Sequence, residues 1–377
     1  MRIAVVHSFY RSGQPSGENA VVLQQVETLR NAGHEVKLVA SYSDEETRKR
    51  YSTVRAGANV MLGRGFDPTD RLNNFGPEIV HVHNTFPNIS LKWLHAFRNR
   101  LVVTLHNFRT VCANGLLFRD GRVCLECPTQ SAMAGLLHGC YRNSRLATLP
   151  LTIRNSKGPG KHPLLSEATA IVCLSHKALD LFRAFGVDRS KLMLVPNGIS
   201  QPSTGQSTSG NGRWAFAGRL SSEKGILELV DSWPPGESLD IYGDGPLKAA
   251  IENLHRPGVR LCGALGRRDL IQTLSEYQGL VFPSSCFEMQ PTVVLEALAG
   301  GVPVIAKREN AGGEIVFNYN CGATYGSSES IDDAMKYVKE QGLQLRRRSR
   351  LVFEEFFTQA AWLERQLLVY SEVMRNS

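Results

Sequence analysis

The sequence predicts an α/β protein made of two doubly wound domains, each built on a parallel sheet. Three observations carry that expectation. Strand-like apolar runs alternate with runs whose apolar residues recur at helical spacing. The alternation stops at a low-complexity break and then restarts. At 377 residues the chain is long enough to bury two cores of ordinary size.

In chain order, "RIAVVHSF" reads as a strand, "ENAVVLQQVETLRNAGH" as a helix stopped by Gly33, and "EVKLVAS" as the next strand. "EIVHVHN", the helix-like "LKWLHAF" and "RLVVTLHNF" follow. After an irregular insertion come the strand "TAIVCLS", the helix "HKALDLFRAF" and the strand "KLMLVPNGI". "SQPSTGQSTSGNG", residues 200–212, lacks large apolar side chains and reads as a flexible linker or mobile loop just past a domain boundary. Beyond it stand "RWAFAG", "ILELVDSW", "SLDIYGDG", "PLKAAIENL", "GVRLCG", "RRDLIQTLSEY", "GLVFPSS" and "GATYG". Such alternation implies parallel strands with helices on both faces. The expected domains are residues 1–197, with an insertion at 110–145, and residues 198–355; "FFTQAAWLERQLLVYSEVM" then reads as an amphipathic helix.

The charged and hydrophobic fractions, 21% and 42%, are those of a soluble globular protein. No apolar run reaches the length of a membrane span, and "MRIAVVHSFY" has no cleavage-site pattern, so the expected location is the cytoplasm. The formal charge of +8 raises nucleic acid, membrane and anionic substrate as partners. Part of the excess is local. No acid falls between Cys127 and Ser166, whereas Arg142, Arg145, Arg154, Lys157 and Lys161 do. That stretch is either a solvated face or a surface turned to phospholipid at the inner side of a membrane, or to a lipid-linked acceptor.

"CFEMQPTVVLEALAGGVPVIA", residues 286–306, sets Glu288 and Glu296 on either side of Pro291. In one continuous helix the two would point about 80° apart. Proline instead suits a first helical turn and disfavours helix just before it, which puts Glu288 in the entering loop and Glu296 near the second turn. Between them lie the free N–H groups of a helix start, which attract anions. "FAGRLSSEKGI" sends Arg219 and Lys224 off the carboxyl end of a strand, where parallel sheets bind ligands and cations grip phosphate. "VVTLHNF" ends a first-domain strand in His106 and Asn107, with His81 and His83 of "HVHN" as competitors for a catalytic part. The turn "RSGQPSGEN" brings Gly13 and Gly17 to a helix start but lacks the GxGxxG order, which argues against a dinucleotide.

Together these stretches resemble the GT-B glycosyltransferases of family 4, which retain anomeric configuration. The resemblance covers nearly the whole chain: Gly17 with Glu18, "TLHN", "VPNGI", "GRLSSEKG", "YGDGP", and the Glu-x7-Glu signature in "PSSCFEMQPTVVLEALAGGVPVIA". It implies two Rossmann-like domains facing each other across a cleft, the first on the acceptor side and the second binding a nucleotide sugar. The implied activity is hexosyl transfer from a nucleotide-diphosphate sugar to a glycan or lipid-linked acceptor, in cell-surface polysaccharide or glycoconjugate synthesis. Arg219 and Lys224 would hold the diphosphate, Glu296 the ribose hydroxyls, and backbone amides around Met289, Gln290, Pro291 and Thr292 the sugar and phosphate. Glu288 and His106, the catalytic candidates, would contact the donor sugar, Gly17 would line the phosphate path, and the terminal helix (356–377) would cross back onto the first domain. The chain departs from the family in one place, having Met289-Gln290-Pro291 where many members have Gly-Phe-Gly. The two cations and the helix start would offset charge on the departing diphosphate, so no metal is expected in catalysis.

In the insertion, Cys112, Cys124, Cys127 and Cys140 are spaced C-x11-C-x2-C-x12-C around an Asp120-Gly121 hairpin turn. Four thiolates suit a structural zinc, with His138 able to replace one; disulfides and free thiols are the alternatives. Cys173, Cys262, Cys286 and Cys321 read as core or pocket-wall fillers. Other readings of the whole chain are a sugar-nucleotide epimerase or phosphorylase, a zinc-stapled basic binder of nucleic acid, and a silent sugar-nucleotide binder. No aromatic-basic interleaving supports nucleic acid.

Overall fold

The computed structural model describes residues 1–9, 16–43, 52–201, 210–326 and 328–376. Residues 10–15 of the glycine turn, Gly13 among them, and residues 202–209 of the expected linker lie outside the described residues. The chain forms two compact units: residues 1–117, 124–198 and 359–377 make the first, and residues 118–123 and 199–358 the second.

The strands of the first part of the chain are β1 (Arg2–Phe9), β2 (Glu35–Tyr42), β3 (Ile79–Asn84), β4 (Leu101–Thr104), the short pair β5 (Phe118–Arg119) and β6 (Arg122–Val123), β7 (Ala170–Cys173) and β8 (Leu192–Leu194). Six of them form one sheet in the order β2-β1-β3-β4-β7-β8. Every neighbouring pair in it is parallel. The chain runs from β1 outward to β2 and returns on the other side of β1. The point where the order reverses therefore lies between β1 and β3, and a crevice opens there at the carboxyl ends.

The second unit repeats the plan with β9 (Trp214–Ala217), β10 (Leu239–Tyr242), β11 (Val259–Gly263), β12 (Gly279–Phe282), β13 (Val304–Lys307) and β14 (Gly322–Tyr325). Their order is β11-β10-β9-β12-β13-β14, again all parallel, with the reversal between β9 and β12. Because successive strand residues face opposite ways, both sheet faces must be apolar. Leu280, Phe282, Val304 and Ala306 enter one core with Val294, Leu295 and Leu298. Val281 and Ile305 enter the other with Trp214, Phe216 and Ile241.

The terminal helix starts at Gln359, later than the 356 boundary read from the sequence. Phe353–Phe357 form a π-helical turn whose Phe353 and Phe357 belong to a core of the second unit. Thr358 is extended, and the helix Gln359–Arg375 then joins the first unit. Gln359 Nε2 donates to Gly198 O at 2.9 Å, and Tyr370 OH lies 2.7 Å from His81 Nδ1.

Asp240 of β10 is fully buried and fastens three strands of the second sheet. It accepts from Arg213 (Nε 3.0 Å), Arg260 (Nη2 2.7 Å) and Tyr277 (OH 2.6 Å). Burial pushes its carboxyl upward, but these donors more than offset that and hold it down to about 2. Asp240→Asn keeps the shape and removes the charge. It is expected to lower stability by about 2–3 kcal/mol, below the usual loss for a broken buried pair because both arginines reach solvent. A lower urea midpoint with unchanged slope would verify this.

Candidate active site

In the second unit, β9 ends at Ala217 and the chain turns through Gly218 and the exposed Arg219 to a 3-10 turn, Ser222–Lys224. Among the described residues the Arg219 guanidinium has no ion-pair partner. Gly225 follows in the left-handed region (φ 65°), and a Cβ there would stand 2.3 Å from Pro283 O, so only glycine lets the two loops meet. Pro283 opens the loop that leaves β12 on the other side of the reversal point. Lys224 Nζ pairs with Glu288 Oε1, which also accepts from Ser284 Oγ at 2.9 Å. Burial pulls the Lys224 ammonium toward the neutral form, but the neighbouring Glu288 carboxylate outweighs it and holds the pKa above the ordinary value. Glu288 itself sits at φ 51°, a conformation rare for a side-chain-bearing residue.

The loop is fixed on both flanks. Ser285 N donates to Glu223 O (2.9 Å) and Ala311 N to Phe287 O (3.2 Å). Asn310 Nδ2 donates to Ser284 O (2.8 Å). Met289 and Gln290 are buried, Pro291 is the N-cap, and the helix runs Thr292–Ala299 with no side-chain cap on its first amides. This is the layout expected from Pro291: Glu288 before the helix, Glu296 in its second turn. Glu296 is buried and paired with Arg267 Nε at 2.8 Å. Burial raises its pKa, with Arg267 opposing. Arg267, Ser284, Asn310 and Lys307, whose Nζ donates to Ser285 Oγ at 2.8 Å, were not singled out by the sequence. Ser284 lies four residues before Glu288 on the same loop, whereas Arg267, Lys307 and Asn310 open, end or cap ordinary elements and reach Glu296 or the Glu288 loop only through the tertiary fold.

In the first unit, Gly17 is the first residue of the helix Gly17–Asn31, with Ser16 as its cap. The third helical residue, Asn19, places Oδ1 3.0 Å from His7 Nε2 of β1. The register between β1 and β3 slips between Val6 and His7, leaving His83 as the unpaired residue. His83 Nδ1 lies 2.9 Å from Nε2 of His106, which follows β4. His81 is instead held between Tyr370 OH and Thr104 Oγ1, each at 2.7 Å. Of the three candidates, His81 is thus enclosed by structural partners, while His83 and His106 touch each other at the carboxyl edge. Burial, then neighbouring imidazole charge, lowers His106 to about 3; burial lowers His81 to about 3 and His7 to about 4. All three are neutral imidazoles at neutral pH.

All four cysteines of the insertion are unbridged. Asp120 (φ 52°) and Gly121 (φ 76°) make the expected tight turn between β5 and β6. Cys124 N donates to Leu117 O at 2.8 Å, and Cys127 lies on the short helix Glu126–Thr129. A Cβ on Gly135 would stand 3.3 Å from both Cys127 Sγ and Ala113 Cβ, and Cys140 N donates to Gly135 O at 3.0 Å. Burial, with Cys112 and Cys140 close by, pushes the Cys127 thiol up to about 12. The sequence motif is thereby gathered into one neighbourhood, yet among the described residues no three His, Cys, Asp or Glu side chains are arranged to hold a metal. His138 is engaged by Glu126 Oε2 at 3.1 Å.

Comparison with known proteins agrees with this architecture. Residues 15–201 match the model of glycosyltransferase family 4, and residues 212–339 match that of glycosyl transferases group 1. The chain belongs to the GT-B glycosyltransferases. Sucrose-phosphate synthase from Thermosynechococcus elongatus has the same fold, with a TM-score of 0.70 at 15% identity over 100% of both chains. Alr3699/HepE from Anabaena, solved in complex with UDP, gives 0.60 at 15% identity over 99% of this chain and 100% of that one. Glycogen synthase of Mycobacterium tuberculosis is 23% identical over 209 residues, 51% of this chain and 50% of that protein. The chain thus spans about half the length of that relative. No described helix is long and apolar enough to cross a membrane.

The buried imidazoles predict acid sensitivity. His7, His81, His83 and His162 are buried, and desolvation holds each pKa below the ordinary 6.5. Below pH 6.5 the unfolded chain takes up protons that the folded chain refuses, so stability falls with pH. The loss is about 1.4 kcal/mol per unit and per histidine until the folded pKa is reached. Thermal midpoints measured from pH 7 to pH 5 should drop steeply, and His81→Gln should remove one histidine's share of the slope.

Proposed function

We propose that this glycosyltransferase moves a sugar, with retention of configuration, from a nucleotide-diphosphate sugar to a glycan or lipid-linked acceptor. The observation that carries the reading is the Lys224–Glu288 pair at the strand-order reversal of the second unit, flanked by an exposed Arg219 and an uncapped helix start. Anionic phosphate oxygens would find Lys224, Arg219 and the amides at Thr292 and Val293. The buried Glu296 would accept ribose hydroxyls while Arg267 keeps it charged. Glu288 would contact the sugar, and the neutral His106, oriented by His83, would donate or accept a hydrogen bond at a sugar hydroxyl. Charge developing on the departing diphosphate is then offset by groups already in place. Alr3699/HepE was crystallised with UDP-glucose, which makes UDP-sugars the first donors to try.

Thermal shift against UDP, GDP, ADP and their sugars should show one base raising the midpoint. Lys224→Ala is expected to reduce turnover about a hundredfold or more, and Glu296→Ala to act mainly on donor affinity. Unchanged transfer by Lys224→Ala would refute the diphosphate assignment.

We also propose a structural zinc on Cys112, Cys124, Cys127 and Cys140, supported by the closeness of the other three to Cys127; binding would draw the thiols closer than they stand. Protein purified under reducing conditions should hold about one zinc per chain, and Cys127→Ser should lose it. Absence of stoichiometric zinc would leave the thiols as packing.

A further inference from the structure

A small cavity of about 30 Å³ opens at the carboxyl edge of β3 and β4 in the first unit. Its lining includes Thr85, His106, Asn107, Arg109, Thr110 and Arg154, and no carboxylate. Two guanidinium groups thus share a half-buried space without a counter-charge. Arg154 Nε donates to His162 Nε2 at 3.1 Å, and its Nη2 stands 3.5 Å from Thr85 Oγ1, both neutral groups. Arg109 spends Nη1 on Ala113 O (3.0 Å) and Nη2 on Asn114 O (3.4 Å), and lies 4.4 Å over the Phe86 ring. Among the described residues neither forms an ion pair. Desolvation, and then the charge of Arg109, pulls Arg154 down to about 10.

Two of the residues that line the cavity also carry buried donors left unused. Nε of Arg109 and the hydroxyl of Thr110, a residue only 7% exposed, have no hydrogen-bond partner. Cations and hydroxyls withdrawn from water in this way are unfavourable unless an anion joins them. The helix that carries Arg154, Arg145–Asn155, turns Leu146, Leu149 and Ile153 outward at i, i+3 and i+7, an apolar stripe in an otherwise acid-free stretch.

We propose that this cavity receives a phosphoryl group carried by the acceptor, its oxygens held by Arg154, Arg109 Nε and Thr110. The proposal rests on the reading of the first unit as the acceptor side. A volume of 30 Å³ exceeds what one water needs and suits the few atoms of a terminal phosphoryl group. The stripe beside it favours an acceptor whose phosphate is joined to an apolar chain over one carried on a glycan.

Calorimetric titration of the full chain with inorganic phosphate, at constant ionic strength, tests the site. Wild type should bind saturably, and Arg154→Met should bind at least about tenfold more weakly, the loss of one charge-assisted contact. Thr110→Val, which keeps volume, should bind about threefold more weakly and serves if Arg154→Met does not fold. Hexyl phosphate binding more tightly than glucose 1-phosphate assigns the phosphate to a lipid-linked acceptor; the reverse order assigns it to a phosphorylated glycan. No phosphate binding by wild type, equal binding by wild type and Arg154→Met, or an equal response to acetate would overturn the proposal. UDP titrated in parallel separates it from the donor reading: a phosphate response lost in Arg154→Met supports the cavity whether or not UDP binds.

Discussion

Where the strand order of a parallel sheet reverses, the connections on either side run away from each other and leave a gap that no backbone fills. In the second unit that gap lies between β9 and β12, and the Lys224–Glu288 ion pair spans it. The rest of this half-site depends on that bridge. Gly225 lets the β9 loop approach Pro283, Ser284 adds a second donor to Glu288, and Asn310 and Ala311 hold the far side of the loop. The result is a cation whose position and charge are set before any anion arrives. Electrostatic preorganisation of this kind avoids reorganising the site as charge develops. Glu288 is held in a left-handed backbone conformation by these contacts, a local strain that a site of fixed geometry can sustain.

The two units reach polarity at their carboxyl edges by opposite means. The second sets its charges in pairs, Lys224 with Glu288 and Arg267 with Glu296. The first gathers imidazoles that burial keeps neutral, and beside them arginines that have only neutral partners. Neutral imidazoles suit hydrogen bonding to hydroxyl-rich ligands, since each ring offers one donor and one acceptor without attracting a counter-ion. Arginines without carboxylates suit an anion brought from outside.

Much of this could be read from the chain because parallel strands buried on both faces announce themselves as short apolar runs. Pro291 fixed where the helix between the two glutamates must begin, and Asp120-Gly121 fixed a turn. What stayed hidden depended on distant partners. Nothing near Arg267 says that it will meet Glu296. His81 and His83 look alike in "HVHN", and they part company only because the β1–β3 register slips and because Tyr370 arrives 289 positions later. Phe356 and Phe357 extend the apolar pattern of the terminal helix, so the sequence places its start early. The structure gives them to a π-helical turn of the other unit. Arg154 reads as one more surface charge in a basic stretch, although it faces inward while its helix neighbours Leu146 and Ile153 face out.

The terminal helix has a consequence for how the protein is made. Gln359 meets Gly198 across 161 steps of chain, and all of the second unit except residues 118–123 is synthesised between them. On the ribosome, then, the amino-terminal sheet must wait uncapped, with the His81 imidazole lacking its phenol, while a complete neighbouring unit emerges and folds. The later-born unit can mature first, and the earlier-born one is finished only when a segment encoded far downstream is delivered to it.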